Sequence, residues 1–181
     1  NVVSLTDIHY PFQDDMAVKA ALDFVRDVQP QVIVVHECMD FYTLSRFSKD
    51  PNRKDDLQQE IDQVCGFFAT LRDTCPKSRI ILVDSNHLAR LRLYLASQAT
   101  ALASLRALEV PELFNLKKYN MEYVGDVVIK GVLFKHGSIV SQGAGASGLR
   151  ELQKENMSGV SGHTHRGAVV YRQDRNGQLF W

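Results

Sequence analysis

The sequence predicts an α/β fold that begins with a parallel sheet. Short apolar strand patterns alternate with helical patterns, in the order 2–6, 17–28, 32–35, 57–71 and 80–83. Apolar residues recur three and four positions apart in the helical patterns, whereas the strand patterns are short and rich in β-branched residues. Pro30 and Pro76 end the two helices. Strand–helix–strand units join parallel strands by right-handed crossovers, so we expect three parallel strands.

The second half of the chain predicts shorter and more antiparallel strands. A stretch rich in leucine, alanine and arginine favours a third helix at 88–108, and a short helix is expected near 149–154. Five strand patterns accompany them, at 123–124, 127–129, 132–134, 169–171 and 179–181. Asn176-Gly177, between the last two, is a strong hairpin signal. Residues 1–181 are expected to form one domain, and the abrupt ends suggest a fragment of a longer polypeptide.

Composition narrows the class of protein. Hydrophobic residues make up 45% and charged residues 23% of the 181 residues, as in ordinary globular proteins. Basic and acidic residues number 21 each, so no overall field attracts nucleic acid or anionic membranes. Cys38, Cys65 and Cys75 form no C-x-x-C pair, which argues against zinc fingers and disulfide scaffolds. Without a membrane-length apolar run or signal-peptide pattern, a cytoplasmic location is expected (the host cytoplasm if phage-encoded), with no membrane partner.

Two short motifs have the spacing of metal ligands. Asp7 and His9 follow the first strand, and residues two apart on an extended segment point the same way. His163 and His165, preceded by Gly162, repeat this spacing near the other end of the chain. D-x-H alone is more often structural, whereas H-x-H is moderately specific for metal. Each motif could therefore direct two donor side chains towards one metal ion.

Three further polar blocks follow strand ends, where open α/β sheets place their ligands. They are His36-Glu37-Cys38-Met39-Asp40, Asp84-Ser85-Asn86-His87 and His136-Gly137. Taken singly, the blocks are more typical of a solvated loop, a polar turn and a structural histidine. Their conjunction with the two motifs supplies about as many oxygen and nitrogen ligands as two metal ions require. Such ligands favour manganese, iron or zinc over copper or an iron–sulfur cluster.

The order of these motifs resembles the calcineurin-like metallophosphoesterase superfamily. That signature runs D-x-H, G-D-x-x-D, G-N-H-[E/D], H and G-H-x-H, and the resemblance extends from Asp7 to His165. The stretch 40–47 is similar to phage-borne and bacterial members. The resemblance implies a β-sandwich of mixed sheets flanked by helices. It also implies phosphoester hydrolysis by a metal-activated hydroxide.

The resemblance implies a role for each matched residue. One metal ion would be held by Asp7, His9 and His165, and the other by Asn86, His136 and His163. Glu37 would bridge the two ions. His87 would act as the catalytic group near the leaving oxygen, oriented by Asp40. The expected cofactors are two divalent ions, manganese in first place, with iron, zinc or nickel as alternatives.

Four positions depart from the family pattern. His36-Glu37 stands where glycine–aspartate is usual, Ser85 replaces the glycine before the asparagine, and Leu88 replaces an acid. Glutamate can bridge metals, but its extra methylene moves the carboxylate by about a bond length, and sites need geometry within roughly 0.5 Å. Metal affinity or turnover could therefore differ from the family norm. Cys38 is an alternative soft ligand nearby.

The substrate is expected to be a phosphoester. DNA or nucleotides are the first choice, because the similar phage-borne proteins are often assigned to DNA processing. Arg46 and Arg90 are candidate substrate contacts, and other basic side chains lie near them in sequence, namely Lys49, Arg53, Lys54 and Arg92. The alternative is that these are solvated faces, as the zero net charge suggests. Rival functions are a phosphomonoesterase and a degenerate, non-catalytic metal-binding domain.

Overall fold

The first sheet contains four parallel strands. In the computed structural model, which describes residues 1–54, 56–143 and 145–181, they are β1 (Val2–Thr6), β2 (Val32–His36), β3 (Arg79–Val83) and β4 (Met121–Val124). They lie in the order β1-β2-β3-β4, and each neighbouring pair is parallel. The predicted α/β class and its first three strands are confirmed, with bounds that differ by at most one residue.

A second, mixed sheet contains three strands. These are β5 (Val127–Ile129), β6 (Val132–Lys135) and β7 (Gly159–Ser161). β6 lies in the centre, antiparallel to β5 and parallel to β7. A separate hairpin joins β8 (Arg172–Gln173) to β9 (Leu179–Phe180). The predicted hairpin around Asn176-Gly177 is therefore confirmed, with its first strand slightly later than expected.

Helices occupy the connections between strands. They are α1 (Asp15–Val28), α2 (Leu57–Thr74), α3 (Leu88–Gln98), α4 (Val110–Leu113) and α5 (Ala146–Glu155). Asp14 begins α1 as an N-cap, since its carboxylate accepts the backbone N–H groups of Met16 and Ala17. Among the described residues, no helix is long and apolar enough to cross a membrane.

Two apolar clusters hold these elements together. Alternate residues of β2 point to opposite faces of the sheet. Ile33 and Val35 belong to the larger cluster, which also contains buried residues of α2 such as Phe68. Val34 instead packs with Phe134 of β6 in a smaller cluster between the two sheets. The sheets therefore face each other, and the helical layer covers the outer face of the first.

Two sequence predictions were wrong in detail. The third helix ends at Gln98 rather than near residue 108, and short 3₁₀ turns follow it. Ser97 near this end bonds its hydroxyl to the carbonyl of Leu93, a local contact that competes with regular helix bonds. The strand at 123–124 was also expected among the more antiparallel strands of the second half, whereas β4 pairs in parallel with β3 and the chain then passes at Gly125-Asp126 to the other sheet.

Arg72 of α2 connects the helix to the segments that lead into β3 and β4. Its guanidinium donates hydrogen bonds to the backbone carbonyls of Ser78, Tyr119 and Asn120, at 2.8, 2.8 and 2.9 Å. These carbonyls lie just before the two strands, so one planar group fixes the start of both.

We expect Arg72→Lys to lower the free energy of unfolding by about 1–3 kcal/mol, because an ammonium group cannot reproduce the guanidinium fork. Urea denaturation would measure the change. Arg106→Lys, at an exposed position, is the matched control and should stay within about 0.5 kcal/mol of the wild type. Equal loss in both variants would contradict the role given to Arg72.

Candidate metal centre

The polar blocks lie at the carboxyl ends of strands in both sheets. In the parallel register, Thr6 lies beside His36, and His36 beside Val83. The residues that follow, including Asp7 and Glu37, therefore emerge at one edge of the first sheet. In the second sheet Lys135 pairs with Ser161, so the next residues along both strands share an edge as well.

Asp7, His9 and His165 form the tightest group of candidate ligands. The Nε2 atoms of His9 and His165 are 3.0 Å apart, and Oδ1 of Asp7 lies 3.9 and 3.7 Å from them. All three ligand atoms fit within 4.8 Å of one another, a spacing compatible with a single ion. Asp7 and His9 are largely buried, whereas 59% of the His165 side chain is exposed, so the group opens to solvent on that side.

Asp7 also joins the two sheets. Its Oδ1 accepts the backbone N–H of His163 at 2.9 Å, and its Oδ2 accepts the hydroxyl of Thr6 at 2.9 Å. The close approach depends on Gly162. A Cβ at residue 162 would overlap the Thr6 hydroxyl and lie 2.8 Å from Oδ2 of Asp7. Glycine is therefore required here by contact with a neighbouring chain segment.

Glu37, His136 and His163 form a second, looser group. Oε2 of Glu37 lies 3.6 Å from Nε2 of His136, and the rings of His136 and His163 are 5.2 Å apart at their centroids. Glu37 is fully buried and His136 is 2% exposed. Among described residues, neither Glu37 oxygen and neither His136 nitrogen has a hydrogen-bond partner. Buried polar atoms without partners are costly, so a ligand-binding role for these side chains is compatible with their burial.

The pKa shifts of this group follow from burial. Burial raises the pKa of Glu37 from 4.5 to about 8. The hydroxyl of Ser85 and the backbone of His87 are near enough to oppose that shift, yet neither forms a hydrogen bond of good geometry with the carboxylate. Burial lowers the pKa of His136 to about 4 and also lowers that of His163. Both shifts favour neutral imidazoles, which is the form that binds metals.

Only part of the polar block that follows β3, residues 84–87, lies at the centre. Asn86 is exposed and its side chain forms no hydrogen bond with described residues. Ser85 instead caps the start of α3, since its hydroxyl accepts the backbone N–H of Leu88 at 3.1 Å. Leu88 is fully buried in the larger core. The residues that replace the family glycine and acid therefore have structural roles in this chain.

His87, Asp40 and Arg90 form a compact network beside His9. Nδ1 of His87 lies 3.1 Å from the Asp40 carbonyl oxygen, and its Nε2 lies 3.2 Å from Nη2 of Arg90. A carbonyl can only accept and a guanidinium can only donate. We therefore assign the proton of a neutral His87 to Nδ1. Nη1 of Arg90 donates to the carbonyl and to Oδ1 of Asp40, both at 2.8 Å, so Arg90 is engaged inside the network.

The Asp40 carboxylate connects this network to the first group. Its Oδ2 is 3.2 Å from Nδ1 of His87 and 3.3 Å from Nδ1 of His9. The His9 contact has ion-pair distance without good hydrogen-bond geometry. Burial alone would raise the pKa of Asp40, but His87, His9 and Arg90 together hold it well below its usual range. His9, Asp40 and His87 are also close enough to be an alternative three-ligand group.

The backbone of the candidate ligands is unusual. Positive φ angles between 52° and 76° occur at five of them, namely Asp7, His9, Glu37, His163 and His165. Such left-handed conformations are uncommon outside glycine and cost energy. The expectation that the D-x-H and H-x-H motifs lie on extended segments was therefore wrong. Their side chains converge because alternate residues turn left-handed after the strand ends.

His36 and Cys38, next to Glu37, are not part of the centre. His36 is fully buried at the end of β2, with its ring centroid 6.4 Å from that of Phe134 on the facing sheet. Burial lowers the pKa of His36 to about 4. Cys38 is fully buried in the larger apolar cluster, and burial raises the pKa of its thiol. The neutral thiol in the core gives no support to the soft-ligand alternative.

Sequence reasoning missed two features around the centre. Oε1 of Glu151 accepts the backbone N–H groups of Ser138 and Ile139, and Lys135 lies 3.0 Å from its Oε2. These contacts fix the loop that follows His136. In the sequence, nothing but its place in a predicted helix distinguishes Glu151. The second feature is an aromatic rim, where Phe12 lines the same opening as His165.

The basic side chains proposed as substrate contacts lie in different surroundings. Arg46 is exposed, with its guanidinium 5.6 Å from the centroid of Phe47. Nζ of Lys49 donates to Ser45, and Arg92 pairs with Asp84 at 2.7 Å. The substrate role of Arg46 stays a prediction, whereas Lys49 and Arg92 have structural partners.

Comparison of the chain with models of known protein families, with curated proteins and with solved structures gave no significant match. The functional argument therefore depends on the geometry of the centre.

Gly162→Ala should lower the free energy of unfolding by about 1–3 kcal/mol, because the added methyl group overpacks Thr6 and Asp7. Chemical denaturation of metal-free protein would measure this. Gly167→Ala is the matched control, since a Cβ there meets no atom within 4 Å. Similar stability of the two variants would show that the close approach to Asp7 is not needed.

Glu37→Gln should change how the stability of chelator-treated protein depends on pH. The pKa of Glu37 is higher in the folded than in the unfolded state. The contribution of Glu37 to the free energy of unfolding is therefore complete below about pH 4.5 and is lost as the pH rises towards 8. Glutamine removes this loss. One pKa unit corresponds to about 1.4 kcal/mol, so at pH 8 the variant should gain more than about 1 kcal/mol over wild type, relative to their difference at pH 4.5.

Urea titrations at several pH values would measure that difference, and other groups cancel because they titrate in both proteins. Glu112→Gln changes an exposed carboxylate and should parallel the wild type. Parallel curves for Glu37→Gln would show that Glu37 is not held protonated in the metal-free fold.

Proposed function

We propose that the protein is a two-metal hydrolase of the calcineurin-like metallophosphoesterase type that cleaves phosphoester bonds, with phosphodiesters in nucleic acid as the first choice. Asp7, His9 and His165 would hold one divalent ion. His136 and His163 would hold the other, and Glu37 would bridge both. Manganese is the preferred ion, with iron, zinc and nickel as alternatives for this oxygen and nitrogen donor set.

The observation that carries the proposal is the meeting of two donor groups at Asp7. One group has three ligand atoms within 4.8 Å. The other contains two buried residues, Glu37 and His136, whose side-chain oxygen and nitrogen atoms have no hydrogen-bond partner among the described residues. Asp7 contacts the backbone of His163 and lies near His9 and His165, so it adjoins both groups. Burial of polar side chains without partners destabilises a fold, so these donor groups are not expected in a purely structural core. The residues present therefore fit divalent metal ions.

The fold and the strained backbone add support. The facing sheets, with helices outside the first, are compatible with the expected sandwich of mixed sheets flanked by helices. Left-handed backbone at five candidate ligands is a cost that functional sites commonly carry. Asn86 is the weakest part of the predicted ligand set, because it is exposed.

The chemistry divides between the ions and the surrounding residues. Bound divalent ions would stabilise charge on phosphate oxygens and activate water for in-line attack. Asp40 orients His9 and His87 through contacts of 3.3 and 3.2 Å. His87 lines the opening of the centre. In its protonated form, with Nε2–H directed at the substrate instead of facing Arg90, it would stabilise negative charge on the leaving oxygen. No covalent bond between the protein and the substrate is required.

The open side of the centre favours an extended substrate. A cavity of about 460 Å³ lies over the first group, and the exposed ring of His165 forms part of its wall. A phosphate within a polymer can approach such an opening from the side. This observation favours a phosphodiester over a small phosphomonoester.

Metal analysis combined with two hydrolysis assays tests the proposal. Purified wild-type protein should bind about two equivalents of Mn²⁺ and hydrolyse a generic phosphodiester faster than a generic phosphomonoester. Glu37→Gln should reduce occupancy at both sites, whereas His165→Ala should affect mainly one. Turnover should fall at least about a hundredfold in both variants, because charge stabilisation at the reacting phosphate is lost.

Glu112→Gln again provides the control for loss of a carboxylate away from the centre. Full metal content without hydrolysis of either substrate would favour the degenerate metal-binding domain. Preference for the monoester would favour a phosphatase. Absence of bound metal in the wild-type protein would overturn the proposal.

A further inference from the structure

A cluster of aromatic and basic side chains extends outward from Phe12, which lines the opening to the candidate metal centre. It consists of Phe12, Tyr42, Lys49 and Arg53, called here the rim cluster. Phe12 lines the cavity that also contains His9 and is 47% exposed. Neither the ligand groups nor the Asp40 network explains why an aromatic ring should stand at this edge.

Contacts within the rim cluster alternate rings and cations. The rings of Phe12 and Tyr42 meet edge to face, with centroids 5.7 Å apart. The guanidinium carbon of Arg53 lies 4.1 Å from the centroid of Phe12 and 5.3 Å from that of Tyr42. Nζ of Lys49 lies 4.9 Å from the centroid of Tyr42. The result is a cationic surface built on flat, rigid groups.

Short backbone connections fix the cluster relative to the centre. Phe12 follows His9 by three residues, and its N–H bonds to the His9 carbonyl at 2.6 Å. Tyr42 follows Asp40 by two residues, and the N–H of Asp40 donates to the carbonyl of Tyr10. The two loops therefore run side by side, and the backbone at both rings is tied to the segments that carry His9 and Asp40.

The Tyr42 ring is also held from its outer end. Its hydroxyl accepts the backbone N–H of Asp50 at 2.9 Å and approaches the carbonyl of Ser48 at 3.4 Å. The loop that carries Lys49 is thus fastened to the ring. Because the rings are fixed beforehand, a ligand that stacks on them loses less side-chain entropy on binding.

We propose that the rim cluster is a stacking site for an unpaired nucleobase of a single-stranded nucleic acid whose backbone enters the metal centre. The inference rests on the proposed function for the phosphate-binding half of this arrangement. Aromatic rings and guanidinium planes stack on bases irrespective of sequence. A duplex does not fit this description, since its bases are already stacked and paired.

Because the net charge of the chain is zero, binding of a nucleic acid strand would depend on local contacts such as those of the rim cluster. A purely electrostatic binding site would need a field that the balanced composition does not provide. Stacking does not need such a field. The exposed Phe12 ring would therefore supply much of the discrimination between a strand with bases and a strand without them.

Fluorescence anisotropy with three probes tests the inference. The probes are a short oligothymidylate with hydrolysis-resistant phosphorothioate linkages, an abasic strand with the same linkages and length, and the duplex of the first. Purified protein should bind oligothymidylate about 5- to 30-fold more tightly than either other probe, with Mn²⁺ and with chelator alike. Phe12→Leu should bring the ratio of oligothymidylate to abasic affinity close to one.

Two variants make the result specific to the ring at residue 12. Phe12→Tyr keeps an aromatic ring and should keep the ratio. Phe24→Leu removes a similarly exposed ring, 54% accessible on α1, and should also keep it. Equal binding of the abasic strand, of the duplex, or of an acidic peptide of matched charge would overturn the inference, as would an unchanged ratio in Phe12→Leu.

The outcome is separable from that of the metal and hydrolysis assays. Base-dependent binding that responds to Phe12→Leu, in a protein without metal or hydrolysis, overturns the proposed function and leaves the stacking site supported. Hydrolysis with no preference for bases overturns the stacking site alone.

Discussion

The Asp7 carboxylate accepts a hydrogen bond from the backbone of His163, a residue 156 positions further along the chain. The contact joins the edge of the parallel sheet to the edge of the mixed sheet. On one side of it lie His9 and His165, and on the other lie His136 and Glu37. The two donor groups keep their relative positions only while Asp7 stays in contact with the backbone of His163. Gly162 permits this contact because it has no Cβ that would overlap Thr6 and Asp7.

Much of the framework could be predicted from residue periodicity. The strands at β1, β2 and β3 and the helices α1 and α2 follow from apolar spacing and from Pro30 and Pro76, because burial of one face dictates these patterns. The sequence also predicted where the polar blocks of the first sheet lie, because each block follows a strand and parallel strands end at a common edge. Convergence of Asp7 with His165 could be expected only through the family resemblance, because no local rule relates such distant residues.

Other features depend on tertiary contacts that the sequence does not display. β4 was expected among the antiparallel strands of the second half, yet it pairs in parallel with β3. Arg90 was expected to face the substrate, whereas its guanidinium is taken up by Asp40 and His87. The left-handed backbone at Asp7 and His163 is likewise invisible to propensity, since only surrounding contacts can stabilise it.

The sequence separation across the Asp7 contact has a consequence for biosynthesis. A ribosome releases the parallel sheet as soon as β4 has emerged, whereas β7 and the His163 segment follow only after β6 and α5. The Asp7 and Glu37 segments therefore leave the ribosome before the residues that they contact, His163 and His136. Docking of the later segments would complete both sets of contacts.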